Sequence, residues 1–144
     1  MIRIVAVGKM KDRRLADLLE DFSRRIQSMV PFEVLEVRDS TPDREARDMV
    51  GKLGSPAGSG RVIALDELGD SVTSQGLAQL LGRYGQLTFL VGGADGLGAE
   101  AKNRANSILR LSSLTLTHEM ARLLLAEQIY RGLTILRKRP YHRD

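Results

Sequence analysis

Four glycines are packed into Leu90-Val91-Gly92-Gly93-Ala94-Asp95-Gly96-Leu97-Gly98, directly after an apolar strand-like run and just before a helical one. Glycine accepts positive φ and lets backbone come close to a ligand. This density at a strand's C-terminal end therefore points to a binding loop in a layered α/β structure. The spacing argues against the two common phosphate cradles. A dinucleotide fingerprint needs G-x-G-x-x-G after the first strand, and a P-loop needs Gly-Lys-Ser/Thr at a helix start. This stretch comes late in the chain and contains no lysine. A glycine-rich turn that holds no ligand is the alternative for the loop taken alone.

Hydrophobic periodicity alternates strand and helix five times. Met1 to Val7 reads as a buried strand, and Leu15, Leu18, Leu19, Phe22 and Ile26 recur at helical spacing within a helix over about Asp12 to Ser28. Phe32 to Val37 is the second strand. Ser40-Thr41-Pro42-Asp43 then offers a cap, a first-turn proline and an acid, which predicts a helix to about Leu53. Gly54 to Gly60 has the composition of a flexible loop within a domain. Arg61 to Leu65 is the third strand, followed by a helix from about Ser74 to Tyr84. Leu87 to Val91 is the fourth strand and carries the glycine loop. A helix over Ala99 to about Ile108, a fifth strand over Leu111 to Leu116 and a last helix over Met120 to Leu136 complete the pattern. Such alternation predicts a mainly parallel sheet with helices on both faces and ligands at the strands' C-terminal ends.

At 144 residues the chain is one domain, residues 1 to 144, large enough to bury a core without staples. It has no cysteine, which excludes disulfides, thiolate metal sites and a cysteine nucleophile. The apolar run at Met1 to Val7 is too short for a signal peptide, and no run approaches the ~18 apolar residues of a membrane span, so a cytoplasmic location is expected. From Arg110 to Asp144 there are seven Lys or Arg and three acids, an excess that equals the whole formal charge of +4. A basic end closing with Arg137-Lys138-Arg139-Pro140-Tyr141-His142-Arg143 suits a polyanionic partner, a solvated tail being the alternative.

The last helix is apolar on more than one side, through Met120, Leu123, Leu124, Leu125, Ile129, Tyr130, Leu133, Ile135 and Leu136. A helix of this kind must be buried twice. One sheet face covers it once, so the expectation is that a second subunit covers it again in a two-fold dimer, a helix capped by its own chain's tail being the alternative. Residues with chemistry gather at strand ends. Asp66 reads as an acceptor or a turn residue, and His118 as a base or a structural histidine. Arg122, one turn later, reads as a phosphate or carboxylate clamp or as a salt-bridge partner, and Glu127 with Arg131 as an i, i+4 ion pair. No Ser-His-Asp order, H-x-x-x-H pair or acidic metal cluster stands out, so no metal is expected.

Several motifs in order resemble one known family. These are Gly8-Lys9 after the first strand, Leu90 to Leu97, Leu111-Ser112-Ser113-Leu114-Thr115-Leu116-Thr117-His118 with Met120 and Arg122, Glu127 to Arg131, and Pro140-Tyr141-His142-Arg143. Together they resemble the ribosomal RNA large subunit methyltransferase H family of the SPOUT superfamily. The resemblance spans the whole chain, with Thr117 where the family often has proline and Glu119 where it has a neutral residue. It implies an α/β fold ending in a trefoil knot, an exception to the rule against threaded chains. It implies a homodimer that uses S-adenosylmethionine to methylate N3 of pseudouridine-1915 in 23S rRNA, on the assembled ribosome. The implied cofactor pocket is Leu65, Gly92, Leu111, Ser112, Ser113, Leu114, Thr115 and Leu116. The implied catalytic residues are Arg122, Tyr141 and His142, with His142 and His118 as candidate bases and Tyr141 as a stacking group. A non-catalytic basic α/β RNA-binding module is the alternative function.

Overall fold

The computed structural model describes residues 1–55 and 60–144; Pro56 to Ser59, the centre of the expected flexible loop, lie outside the described residues. Five strands and five helices follow one another as β1 (Ile2–Val7), α1 (Arg13–Gln27), β2 (Phe32–Val37), α2 (Pro42–Leu53), β3 (Arg61–Ser71), α3 (Ser74–Arg83), β4 (Leu87–Val91), α4 (Ala99–Arg104), β5 (Ser107–Arg110) and α5 (His118–Leu136). The strands form one sheet in the order β2-β1-β4-β3-β5, and every pairing is parallel. All strand C-termini therefore share one edge.

Alternation along β1 divides the core between the two faces. Ile2, Ile4 and Ala6 point to one side, where they meet Leu19 and Ile26 of α1, Leu77 and Leu81 of α3, and Leu125 and Ile129 of α5. Val5 and Val7 point to the other, against Ala46 and Met49 of α2 and Ala101 of α4. The helices begin where the sequence provides caps. The Asp12 carboxylate accepts from the Arg14 N–H at 2.9 Å, and Thr41 Oγ1 accepts from the Arg44 N–H at 3.3 Å ahead of Pro42.

Two strands differ from their expected limits. β3 runs on to Ser71 through an interruption in which Leu65 and Asp70 both pair with Leu109, so residues 66–69 bulge out of the ladder. The fifth strand lies at Ser107–Arg110 and not at Leu111 to Leu116. Asn106 decides this: its N–H donates to the Val62 carbonyl at 2.7 Å while its Oδ1 accepts from the Val62 N–H at 2.7 Å. That clamp ends α4 early and sets Ile108 and Leu109 opposite Ala64 and Leu65. The alternating leucines beyond it form a loop, turned locally by Ser112 Oγ, which accepts from the Leu114 N–H at 2.9 Å.

The burial expected of the last helix is met in part within the chain. α5 lies over the sheet between α1 and α3, leaving Leu125, Ala126 and Ile129 fully buried. Of the other apolar residues on the helix, Leu136 stays 43% exposed and Met120, Leu124 and Ile135 are half-buried. The N-terminal half of α5 is fixed by Arg122, which is 1% exposed. Its Nη2 donates to the carbonyls of Val7 and Gly8 at 2.7 and 2.9 Å, and its Nη1 donates to Glu36 Oε2 at 2.8 Å. Arg122→Met removes the donors from two backbone carbonyls at the end of β1 and from Glu36. It is expected to lower the unfolding free energy by about 2–4 kcal/mol. Denaturant unfolding monitored by circular dichroism measures this; a loss below about 0.5 kcal/mol would show the anchor to be dispensable.

Candidate functional site

The C-terminal edge of the sheet holds a cleft of about 980 Å³. Leu65 and Val91 lie side by side in the β3–β4 ladder and Leu109 pairs with Leu65, so three strand ends make the floor. One wall is the Gly92 to Leu97 loop. A second is Leu111 to Leu116, and a third is Asp66 to Leu68 from the β3 bulge. The start of α5 and residues Asp12 and Leu15 of α1 close the remaining side.

Backbone geometry makes the glycine loop. A Cβ on Gly92 would lie 2.7 to 2.9 Å from backbone atoms of Gly96 and Leu97, closer than real Cβ atoms come. The loop folds back on itself through the Gly96 N–H, which donates to the Gly93 carbonyl at 3.1 Å, and Gly96 sits at φ 82°. Gly92 is therefore required by the loop's own closure before any ligand is considered. On the opposite wall a Cβ on Gly69 would be 2.7 Å from the Leu109 carbonyl carbon. A bare backbone there lets β3 return to β5 after the bulge.

The cleft is acidic. Asp12, Asp66, Glu67, Asp95 and Glu119 line it, against the cations Lys102 and Arg110 and the ring of His118. Asp66 Oδ2 pairs with Lys102 Nζ at 2.9 Å, while its Oδ1 accepts from the Leu68 N–H at 2.8 Å and so shapes the bulge. Burial opposes ionisation of Asp66, but the Leu68 N–H and the Lys102 ammonium outweigh it and hold the carboxyl below its ordinary range. Glu119 accepts from the N–H groups of Lys11 and Asp12 at 3.0 and 3.1 Å, tying the β1–α1 loop to α5. Its departure from a neutral residue thus has a structural use. Among the described residues no group of three or more His, Cys, Asp or Glu is placed to hold a metal ion, and no helix is long and apolar enough to cross a membrane.

Of the residues singled out in the sequence, Leu65, Gly92, Leu111, Ser112, Leu114, Thr115 and Leu116 line the cleft together, as do Asp66 and His118; Ser113 does not. Arg122 faces the end of β1, as described. Tyr141 and His142 lie elsewhere. The segment after α5 folds back along it, which sets the Tyr141 ring edge-on to Tyr130 at 4.7 Å and its hydroxyl 3.1 Å from Glu127 Oε1. Tyr141 and His142 are thereby half-buried against α5, while Arg137 to Pro140 and Arg143 stay exposed. Glu127 also binds Arg131 at 2.7 Å, the i, i+4 pair read from the sequence. Arg131 Nη1 lies 3.2 Å from His142 Nδ1, and Asp144 Oδ1 lies 2.9 Å from Nε2. The Gln75 side-chain amide nitrogen lies 3.2 Å from the same Nε2, so His142 is held between Arg131, Gln75 and Asp144. Glu127 is nine residues beyond His118, so this cluster sits about 14 Å along α5 from the cleft. Periodicity pointed to neither the bulge wall nor Asp12 and Leu15, because both depend on long-range packing.

A family profile described as "Predicted SPOUT methyltransferase" matches residues 1–142. The chain belongs to the SPOUT methyltransferase family. It is 42% identical over 155 aligned positions to "Ribosomal RNA large subunit methyltransferase H" of Syntrophotalea carbinolica, covering 98% of this chain and 97% of that protein. The protein of the same name from Polynucleobacter asymbioticus is 45% identical, with 99% of each chain covered. Among solved structures, TrmJ from Zymomonas mobilis superposes with a TM-score of 0.56 at 12% identity, over 99% of this chain and 73% of that one. A methylase family protein from Haemophilus influenzae gives 0.57 at 16%, over 95% of this chain and 66% of the other. These structures share the fold.

The docked tail makes a pH prediction. Burial first, and then the Glu127 carboxylate, push the Tyr141 phenol above its ordinary value of 10.0. A group whose pKa is raised on folding stabilises the folded state below its unfolded pKa and loses that contribution as the pH rises through its folded pKa. Tyr141 is thus expected to ionise above the ordinary phenol value, releasing the tail as it does so. Spectrophotometric titration should show a late phenolate step that Tyr141→Phe abolishes; retention of that step in the variant would place it on another tyrosine.

Proposed function

We propose that this chain is an S-adenosylmethionine-dependent methyltransferase that modifies N3 of a pseudouridine in large-subunit ribosomal RNA, acting in the cytoplasm on the assembled ribosome. The observation that carries the reading is an acidic, glycine-walled cleft in a SPOUT fold, in a chain resembling relatives named ribosomal RNA large subunit methyltransferase H. The cleft suits the methyl donor chemically. A sulfonium and an ammonium are favoured beside Glu67 and Asp95, whereas a polyphosphate would be repelled. Backbone groups of Gly92 to Leu97 and of Leu111 to Leu116 are available to read a neutral adenine. Leu65, Gly92, Leu111, Ser112, Leu114, Thr115 and Leu116 are the proposed cofactor contacts.

The donor supplies an electrophilic methyl group, so the chain's task is to align an N3 lone pair with it and to remove the imide proton. No metal is needed for that. His118 is the histidine that lines the cleft, and it is the proposed acceptor of the proton. Arg122 acts by holding α5 and hence His118 in place.

The family's trefoil knot belongs to the same reading. β5 is at one edge of the sheet, while Arg122 fastens the start of α5 over the ends of β1 and β2. Residues 111–117 therefore cross the C-terminal ends of β3 and β4 on the same edge as the β4–α4 loop, a crossing that ordinary folds avoid.

A homodimer is proposed on the separation of tail and cleft. Tyr141, His142 and Arg143 are too far from their own cleft to serve it, so a second copy's tail would complete the site. Leu68 and Leu114, exposed by 89% and 73% on two walls of the cleft, are apolar surface for that copy to cover.

Calorimetry with S-adenosylmethionine tests the cofactor assignment. Gly92→Ala should weaken binding by about tenfold or more, the equivalent of ~1.4 kcal/mol, because the loop must open to admit the Cβ. Equal affinity would move the pocket elsewhere. Mixing a Gly92→Val protein with one truncated before Tyr141 tests the composite site: each alone should be inactive on ribosomes, and the mixture should regain activity through heterodimers. Failure to regain it despite proven subunit exchange would confine the site to one chain.

A further inference from the structure

A second groove of about 500 Å³, lined by Arg38, Asp39, Ser40, Arg44, Arg47 and Asp48, opens between the end of β2 and the first turns of α2. We infer that this groove is a phosphate-binding surface that holds the RNA backbone beside the cofactor cleft of the same subunit; this rests on the function proposed above.

Arg38, Arg44 and Arg47 are exposed, and their guanidinium groups make no ion pair or hydrogen bond with other described residues. This sets them apart from Arg122, whose two terminal nitrogens bind backbone carbonyls and Glu36, and from Arg131, which pairs with Glu127. Arg44 and Arg47 share one face of α2 at i, i+3, and Arg38 meets them from the strand end. The neighbouring loop adds cations. The Gly8 N–H donates to the Val37 carbonyl at 2.8 Å, which brings the exposed Lys9 and Lys11 next to the groove. Three cations thus line the groove with Asp39 and Asp48, and two lysines follow in the adjoining loop. Spread over two elements and a loop, they match successive phosphates of a chain better than a single small anion.

The position also fits. β2 is two strands from β4, or about 10 Å at the usual strand spacing, and both end on the same edge of the sheet. A nucleic-acid strand covers that distance in about three nucleotides at ~3.4 Å each. The cleft itself is acidic and repels phosphates, while the cations at Arg137 to Arg139 begin at the far edge, where Arg137 Nη2 donates to the Met29 carbonyl at 2.6 Å ahead of β2. Within one subunit the arginine groove is the basic surface next to the reacting end of the sheet.

The test compares wild type with the Arg38→Gln/Arg44→Gln/Arg47→Gln triple variant by fluorescence anisotropy on a mixed-sequence single-stranded RNA and on ribosomes, across a salt series, with S-adenosylmethionine calorimetry alongside. Expected are unchanged cofactor affinity, RNA and ribosome binding weakened roughly tenfold near 150 mM salt, and a slope of log K against log salt shallower by about 2. Unchanged RNA affinity and slope, with cofactor binding intact, would overturn the groove and leave the methyltransferase reading standing. Loss of wild-type cofactor binding would instead overturn that reading. Weakened ribosome binding with unaltered binding to the free RNA would assign the groove to a protein surface, also against the inference. Displacement of RNA from the wild type by millimolar inorganic phosphate, at matched ionic strength, would make it a small-anion site and overturn it too.

Discussion

The buried guanidinium of Arg122 is the interaction on which the geometry of the cleft edge depends. It joins α5 to the carbonyls of Val7 and Gly8 and to Glu36, and so fixes the start of the last helix over β1 and β2. The chain leaves the sheet at β5, on the opposite side of β4 and β3. Between those two fixed points residues 111–117 have no route except across the strand ends, and there they become a wall of the cleft. Glu119 reinforces the junction by accepting from Lys11 and Asp12, which brings the start of α1 against the same opening. A cleft made this way needs no second domain, because the returning chain supplies the wall that a larger protein would add as an insertion.

Much of this was legible in the sequence, and what was not has a common cause. The five strand–helix repeats, the caps at Asp12 and Thr41 and the glycine loop after β4 are local signals, and each has its structural counterpart. The fifth strand was misplaced because Leu111, Leu114 and Leu116 carry a strand-like apolar spacing, while the pairing is set by Asn106 against Val62, forty-four positions away. Burial of α5 was foreseen, but the helices that supply it from within the chain were not. Periodicity reports how much of a helix is covered and is silent on which helices share its side of the sheet; α1 and α3 both do. Arg122 shows the same limit. An arginine one turn after His118 reads as a clamp for an external anion, yet packing turns it inward to backbone carbonyls.

Charge summed along the chain concealed the arrangement of charge in space. The excess at the C-terminal end is large in sequence, but Arg131 is paired with Glu127, and Arg137 donates to a carbonyl at the edge of the sheet away from the cleft. The first 109 residues are neutral in total, yet they contain both the acidic cleft walls and the arginine groove beside them. Opposite local fields are thereby placed next to one another along a single edge. A cationic methyl donor and a polyanionic RNA have to meet at one point, and one basic surface would attract the second while repelling the first. On the function proposed above, separating the two fields by about 10 Å, two strand spacings, would let each substrate approach its own complementary surface and meet the other where the sheet ends.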